Sequence, residues 1–146
     1  MTVLDAALEF SDAQSLASKS SGTATVSTNL VDMRTSLKTG WGATDTPEIG
    51  GITWNVNVNT ILVGAGAAIR ADLVTKASAS SLSSGGTTVA SVTIPAVSAA
   101  GTKKALTLPP GTTTLRYLGV VYTAVGAKLT SAKLDSWLGL DNEVYD

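Results

Sequence analysis

The sequence predicts an all-β protein, built as a sandwich or a barrel, and three observations support this. Apolar and polar residues alternate in several short runs, which is typical of half-buried strands. Ser, Thr, Ala and Gly make up 71 of the 146 residues; Thr favours strands, and Gly and Ser favour turns. A helical protein of this length would instead carry many Glu, Lys and Leu on amphipathic faces. No repeat or linker divides the chain, so residues 1–146 are expected to form one domain.

About eight short strands follow from the alternation. The clearest is 53–61, where Trp54, Val56 and Val58 alternate with asparagines, which predicts that Trp54 lies in the core. The run 115–124 is apolar on both faces, as expected for a central strand. The remaining strands are expected at 4–10, 24–30, 69–74, 90–94, 106–108 and 132–140.

Three stretches also fit a helix. Residues 4–8 and 134–138 have apolar residues at helical spacing, and Ser11 with Gln14 resembles a capping box before a short helical turn. A turn signal is strong at Pro109-Pro110-Gly111. Long loops are left at 33–51 and 77–86.

The glycine-containing run from Val63 to Ile69 looks like the start of a dinucleotide-binding fingerprint after a strand. In that fingerprint a third small residue lets the helix pack closely, and the bulky Ile69 stands in its place. The acidic residue expected about 20 positions later is also missing, since no Asp or Glu lies between Asp72 and Asp135. The run therefore predicts a bend between two strands.

The composition argues against an enzyme. The chain has no His and no Cys, which excludes His-based triads, thiol nucleophiles, disulfides and thiolate zinc sites. Carboxylate, Lys, Tyr or Ser–Lys chemistry remains, but no motif supports it, so no catalytic, cofactor or metal site is expected. Asp141, Glu143 and Asp146 lie in a C-terminal tail that lacks the fixed loop a calcium site needs. We interpret them as solvated.

Charge and hydropathy also limit the classes of partner that the protein is expected to bind. Ten basic and eleven acidic residues leave a net charge of −1, and no basic run is longer than Lys103-Lys104, so nucleic acid is not an expected partner. No apolar stretch reaches the roughly 18 residues of a membrane-spanning helix. The first residues lack the basic and apolar segments of a signal peptide, which favours folding in the cytoplasm.

Four residues are candidates for a binding interface. Trp137 falls opposite Leu134 and Leu138 along its strand, which predicts an outward ring, and Trp41 lies between two glycines in the longest loop. Outward aromatic residues anchor protein interfaces and also stack on sugars. Trp41 can equally fold over the end of the sandwich. Arg116, beside Tyr117, interrupts an apolar strand; it lies at the sheet rim with its head in water, or pairs with a carboxylate.

The run Leu108-Pro109-Pro110-Gly111, followed by Leu115-Arg116-Tyr117-Leu118 and Tyr122, resembles a segment of the capsid cement (decoration) proteins of tailed bacteriophages, of the jelly-roll type found with short-tailed phages. Similar segments occur in the same order at 4–6, 11–14, 28–32 and 140–141, so the resemblance touches both ends of the chain. The loop 33–51 is longer than this family leads one to expect.

The resemblance implies an antiparallel jelly-roll sandwich that forms small homo-oligomers on the outer face of a phage capsid. It also implies that each copy bridges neighbouring major capsid proteins after synthesis in the host cytoplasm, without catalytic residues. A dimer is expected rather than a trimer, because twofold contacts are the commonest symmetric arrangement of homo-oligomers. The alternative is a carbohydrate- or receptor-binding module of a phage particle, with Trp41 and Trp137 as stacking platforms.

Overall fold

The computed structural model describes residues 8–33 and 49–139. The expectations for the helix or strand before Leu8, for Trp41 and for the acidic tail lie outside these residues. Nine strands occur in the described part of the chain: β1 Glu9–Ser15, β2 Ala24–Val26, β3 Val31–Asp32, β4 Thr53–Val63, β5 Ala68–Lys76, β6 Thr87–Ile94, β7 Lys103–Thr107, β8 Tyr117–Val125 and β9 Ser131–Gly139.

The strands form two antiparallel sheets that pack face to face. The first sheet has the order β1-β9-β4-β7, and the second has the order β2-β8-β5-β6, with β3 also paired to β8. Successive strands therefore alternate between the sheets for much of the chain, which is the strand order of a jelly roll. The predicted all-β sandwich is confirmed.

The core lies between the two inner faces. Trp54, Val56 and Val58 of β4 are fully buried there, as the asparagine alternation predicts. The indole N–H of Trp54 donates to Ser136 Oγ at 3.0 Å, so its one polar atom is satisfied inside the core. The other large side chains of this cluster are Phe10, Leu16, Ile49, Leu62, Ile69, Leu73, Ile94, Leu108, Leu118, Tyr122, Leu129, Leu134 and Leu138.

The glycine-containing run is a bend between two strands, as predicted. It joins β4 to β5, and Gly66 has a φ of 72°. Gly64 has a φ of 154°, and a Cβ at that position would lie 2.6 Å from the carbonyl oxygen of Lys128. A residue with a side chain would therefore push the neighbouring connection away.

Two expectations near the N-terminus are wrong. Ser11 and Gln14 do not cap a helix: both lie in β1, where the Ser11 hydroxyl donates to Gln14 Oε1 at 2.6 Å across a bulged stretch in which Ala13 has a φ of 45°. The predicted strand 24–30 is divided into β2 and β3. Its middle leaves the ladder because the Ser27 hydroxyl accepts the Val120 N–H at 3.0 Å.

The stretch 134–138 is strand rather than helix, since all of it lies within β9. The long apolar strand begins at Tyr117, two residues later than expected, and it is central in its sheet, as predicted.

The loop between β5 and β6 covers part of the outer face of the second sheet. Leu82 is buried against Val74 and Val121, with Val26 and Leu30 at the margin of this small cluster. The sheet accepts these side chains because Gly119 lies beneath them. A Cβ there would lie 2.5 Å from Leu82 Cδ1 and 2.7 Å from Leu30 Cδ2. The Lys76 ammonium holds the loop by donating to three carbonyl oxygens, those of Ser80, Ser81 and Ser84, at 2.8–3.1 Å.

Candidate functional site

Arg116 and Tyr117 lie together at the start of β8. The Arg116 guanidinium donates to Asp32 of β3, with Nη2 at 3.1 Å from Oδ2, and it lies 5.0 Å from the centre of the Tyr117 ring. Of the two possibilities that the sequence left open, Arg116 therefore pairs with a carboxylate. Both the hydrogen bond to Asp32 and the attraction of its charge raise the pKa of Arg116. The result is a fixed, partly exposed cation stacked on an aromatic ring.

Trp137 lies on the other sheet and is not exposed. Alternation places it on the outer face of β9, as predicted, opposite the buried Leu134 and Leu138. Only 7% of the residue is accessible, however, so the ring is outward but is not available as an exposed interface anchor. The Lys103 ammonium from β7 lies 5.6 Å from the ring centre. Alternation along one strand identifies the face of a sheet but cannot show what a neighbouring strand lays over it.

Asp135 organises the outer face of the first sheet. One of its carboxylate oxygens accepts the backbone N–H of Ala13 at 2.7 Å, and the other accepts the amide of Asn57 at 3.2 Å and that of Asn59 at 3.3 Å. Two of the asparagines that alternate with the core residues of β4 therefore bind a neighbouring strand. The sequence shows their face, whereas their partner becomes evident only from the register of β4 and β9.

An open groove of about 250 Å³ lies on the outer face of the second sheet. Arg70 and Asp72 of β5 form its polar side: Arg70 Nε lies 3.0 Å from Asp72 Oδ2, and Ser91 of β6 also donates to Asp72. Ser83 and Gly85 of the β5–β6 loop form part of the opposite wall. The groove is not evident from the sequence, although opposite charges two residues apart on one strand, and hence on one face, indicate such an ion pair.

Four exposed apolar residues lie toward the same end of the sandwich. Ile61 and Val63 end β4, and Val125 ends β8 at the same end, because Val125 pairs with Ala68, where β5 begins. Val97 belongs to the β6–β7 connection, which reaches this end through the bond from the Leu62 N–H to the Ser98 carbonyl at 3.1 Å. We call Ile61, Val63, Val97 and Val125 the apolar end. All four are more than 40% exposed.

Val97 is unusual within the apolar end. It is 70% exposed and has a φ of 60°, a left-handed backbone conformation that is disfavoured for a β-branched residue. An apolar side chain that is held in water by a strained backbone gains nothing within the monomer. Strained residues concentrate at binding sites, where a partner makes use of the geometry.

Of the sequence-predicted interface residues that the structure describes, Arg116 and Tyr117 lie together, and Trp137 lies apart from them. Arg116 and Tyr117 are neighbours on the second sheet, Trp137 is buried on the first, and Trp41 lies outside the described residues. The apolar end was missed because Val97 and Val125 have no periodicity that marks them as exposed. Only the ends of the strands, which sequence patterns locate poorly, bring them together.

Within residues 8–33 and 49–139, no group of three acidic side chains is arranged to hold a metal ion. In the same part of the chain, no helix is long and apolar enough to cross a membrane. No known family model matches the sequence, and no curated protein matches it. The chain is therefore defined by its structure as an all-β sandwich with jelly-roll strand order.

Proposed function

We propose that this protein is a structural protein of a phage particle. It binds the outer surface of the capsid and cements neighbouring major capsid proteins, and it acts as a small homo-oligomer without catalysing a reaction. The observation that carries the proposal is the strand order of the two sheets. Segments such as 108–111 and 115–118 resemble phage cement proteins. That resemblance implies a jelly roll, and the observed strand order is that of a jelly roll.

The surface chemistry supports a role through contact. Arg116 pairs with Asp32 and Arg70 pairs with Asp72, and the net charge of the chain is only −1. Long-range attraction therefore contributes little, and affinity must come from apolar burial and short-range hydrogen bonds. The apolar end provides this kind of surface.

We assign the apolar end to the contact with the capsid shell, with Val97 as its anchor. A residue that protrudes from a loop and is already held in its bound geometry loses little entropy on binding. Anchors of this kind carry most of the energy of an interface. The paired Arg116 and Tyr117 remain a second candidate contact at the start of β8, where Leu115 is also exposed.

The proposal is tested by loading the protein onto expanded phage heads that lack it. We expect saturable binding, measured on gels of pelleted heads, and we expect Val97→Asp to weaken it because a charge would be buried in an apolar contact. Thr113→Asp is the matched control, since Thr113 is exposed in the β7–β8 connection, at the end of the sandwich opposite the apolar end. Absence of saturable binding by the unchanged protein would contradict the proposal.

The second candidate is a carbohydrate- or receptor-binding module, and the groove beside Arg70 and Asp72 favours it. Charged pairs with neighbouring hydroxyls, such as Ser91, can hydrogen-bond the hydroxyls of a sugar. The burial of Trp137 removes one of the two stacking platforms on which this alternative rested. A glycan array separates the two candidates: specific glycan binding that is lost in Asp72→Ala, together with absent binding to heads, would favour the module.

A further inference from the structure

Strand β6 forms an open edge of the second sheet. It is the last strand in the order β2-β8-β5-β6, and it pairs only with β5. Within the described residues, its outer backbone N–H and C=O groups have no hydrogen-bond partner. An edge of this kind is a template for another strand.

The opposite side of the sandwich is closed. There, β1 and the β2–β3 segment are linked across the two sheets: the Gln14 amide donates to the Val26 carbonyl at 2.9 Å, and Gln14 Oε1 accepts the Thr28 N–H at 3.1 Å. The Asn29 N–H also donates to the Phe10 carbonyl at 2.9 Å. Bulges in β1 interrupt what is left of that edge.

The remaining edge, β7, is protected by charge. Lys103 and Lys104 begin this strand, and two copies that paired along it would bring four ammonium groups together. In contrast, β6 has the sequence TTVASVTI, without a charged residue, and its Thr, Val and Ile favour strand pairing. Self-pairing is therefore electrostatically unopposed at β6 and opposed at β7.

We infer that β6 pairs antiparallel with β6 of a second copy about a twofold axis, so that two second sheets join into one continuous sheet. The regular part of the strand, Ala90–Ile94, follows a bulge at Val89 and provides the pairing segment. An antiparallel edge is complementary to itself under a twofold rotation, so no further sequence match is needed. The inference rests on the self-association in the proposed function and specifies its geometry.

Cysteine scanning tests the pairing directly, because the natural chain has no cysteine. In a twofold antiparallel pair one residue lies opposite its own copy, with Cα atoms about 4.5–5.5 Å apart, which is within the range of a disulfide. We expect Ser91→Cys or Thr93→Cys, both within the pairing segment, to give disulfide-linked dimers on mild oxidation. The matched control Lys104→Cys, on the β7 edge, should remain uncrosslinked. Equal crosslinking at both edges would overturn the inference.

Sedimentation of the isolated protein provides the second measurement. We expect the unchanged protein to be a dimer, and we expect Thr93→Lys to weaken the dimer roughly tenfold or more, because it brings like charges together at the interface. Thr130→Lys is the control for an added surface charge away from β6, and circular dichroism verifies that both variants fold. A protein that sediments as a monomer at every concentration would refute β6 pairing.

The outcome remains separate from that of the capsid proposal. A monomer that loads onto heads overturns the β6 pairing alone, and a β6-linked dimer that fails to load overturns the capsid role alone. If cysteines in β6 crosslink to the major capsid protein instead of to a second copy, the edge receives a strand of the shell and the inference is wrong.

Discussion

At the residue scale, Trp54 is the largest fully buried side chain among the described residues. Its ring is fully buried and its N–H is bonded to Ser136. We expect Trp54→Ala to lower the free energy of unfolding by about 3–5 kcal/mol, because a large cavity remains and a hydrogen bond is lost. Ile61→Ala, at an exposed site of the same strand, is the control and should change stability little. Equal shifts in the two denaturation midpoints would contradict the assignment of Trp54 to the core.

Tyr122 gives a pH-dependent prediction. Burial raises its pKa to about 12, although the hydrogen bond from its hydroxyl to Ser11, at 2.9 Å, acts in the opposite direction. Because the folded-state pKa lies above the ordinary value near 10, Tyr122 stabilises the fold fully below pH 10, and this contribution is lost as the pH rises toward 12. Absorbance at tyrosinate wavelengths should show a late-titrating group that is absent in Tyr122→Phe. A titration curve that Tyr122→Phe leaves unchanged would contradict the raised pKa of Tyr122.

The sequence predicts residues well where one strand decides the environment, and poorly where two strands do. Three asparagines alternating with Trp54, Val56 and Val58 are enough to identify the core face of β4. The burial of Trp137 depends on other parts of the fold, including Lys103 of β7, more than 30 residues away in the chain. The role of Asp135 likewise cannot be predicted from the sequence of β9, because its hydrogen-bond partners come from β1 and β4.

At the scale of elements, the β5–β6 loop is held by one lysine and one leucine. Lys76 donates to three of its carbonyls, and Leu82 packs above Gly119. We expect Lys76→Met to speed proteolytic cleavage within 77–86 severalfold, while the thermal midpoint changes little, because local opening costs less than global unfolding. Lys128→Met, in another connection, is the control. Equal cleavage of the two variants would show that the lysine does not order the loop.

Most strands are predictable from alternation, but their interruptions are not. The segment 24–30 reads as one strand, and it is divided because Ser27 replaces a ladder bond with a side-chain bond to Val120. Ser11 and Gln14 have the spacing of a capping box, and they do bond to one another, but within a bulged strand. Side-chain hydrogen bonds to nearby groups compete with regular structure, and local sequence alone does not decide the outcome.

At the scale of the whole molecule, self-association should withstand salt. The described ion pairs are internal, and the β6 edge is uncharged, so the association depends on backbone hydrogen bonds and apolar contact. Exposed charges are already screened over about 10 Å in 0.1 M salt. We expect the sedimentation coefficient of the isolated protein to be unchanged between about 0.05 and about 0.5 M salt. A dimer that dissociates with rising salt would show that charges hold it together.

The measurement that tests the cementing role most directly is the melting curve of phage heads with and without the protein. A ligand that binds the assembled shell but not its separated subunits stabilises the shell by mass action. We therefore predict that reloaded heads melt at a higher temperature than bare heads, and that Val97→Asp reduces the gain. Identical curves for bare and reloaded heads, with binding verified on a gel, would contradict the central claim.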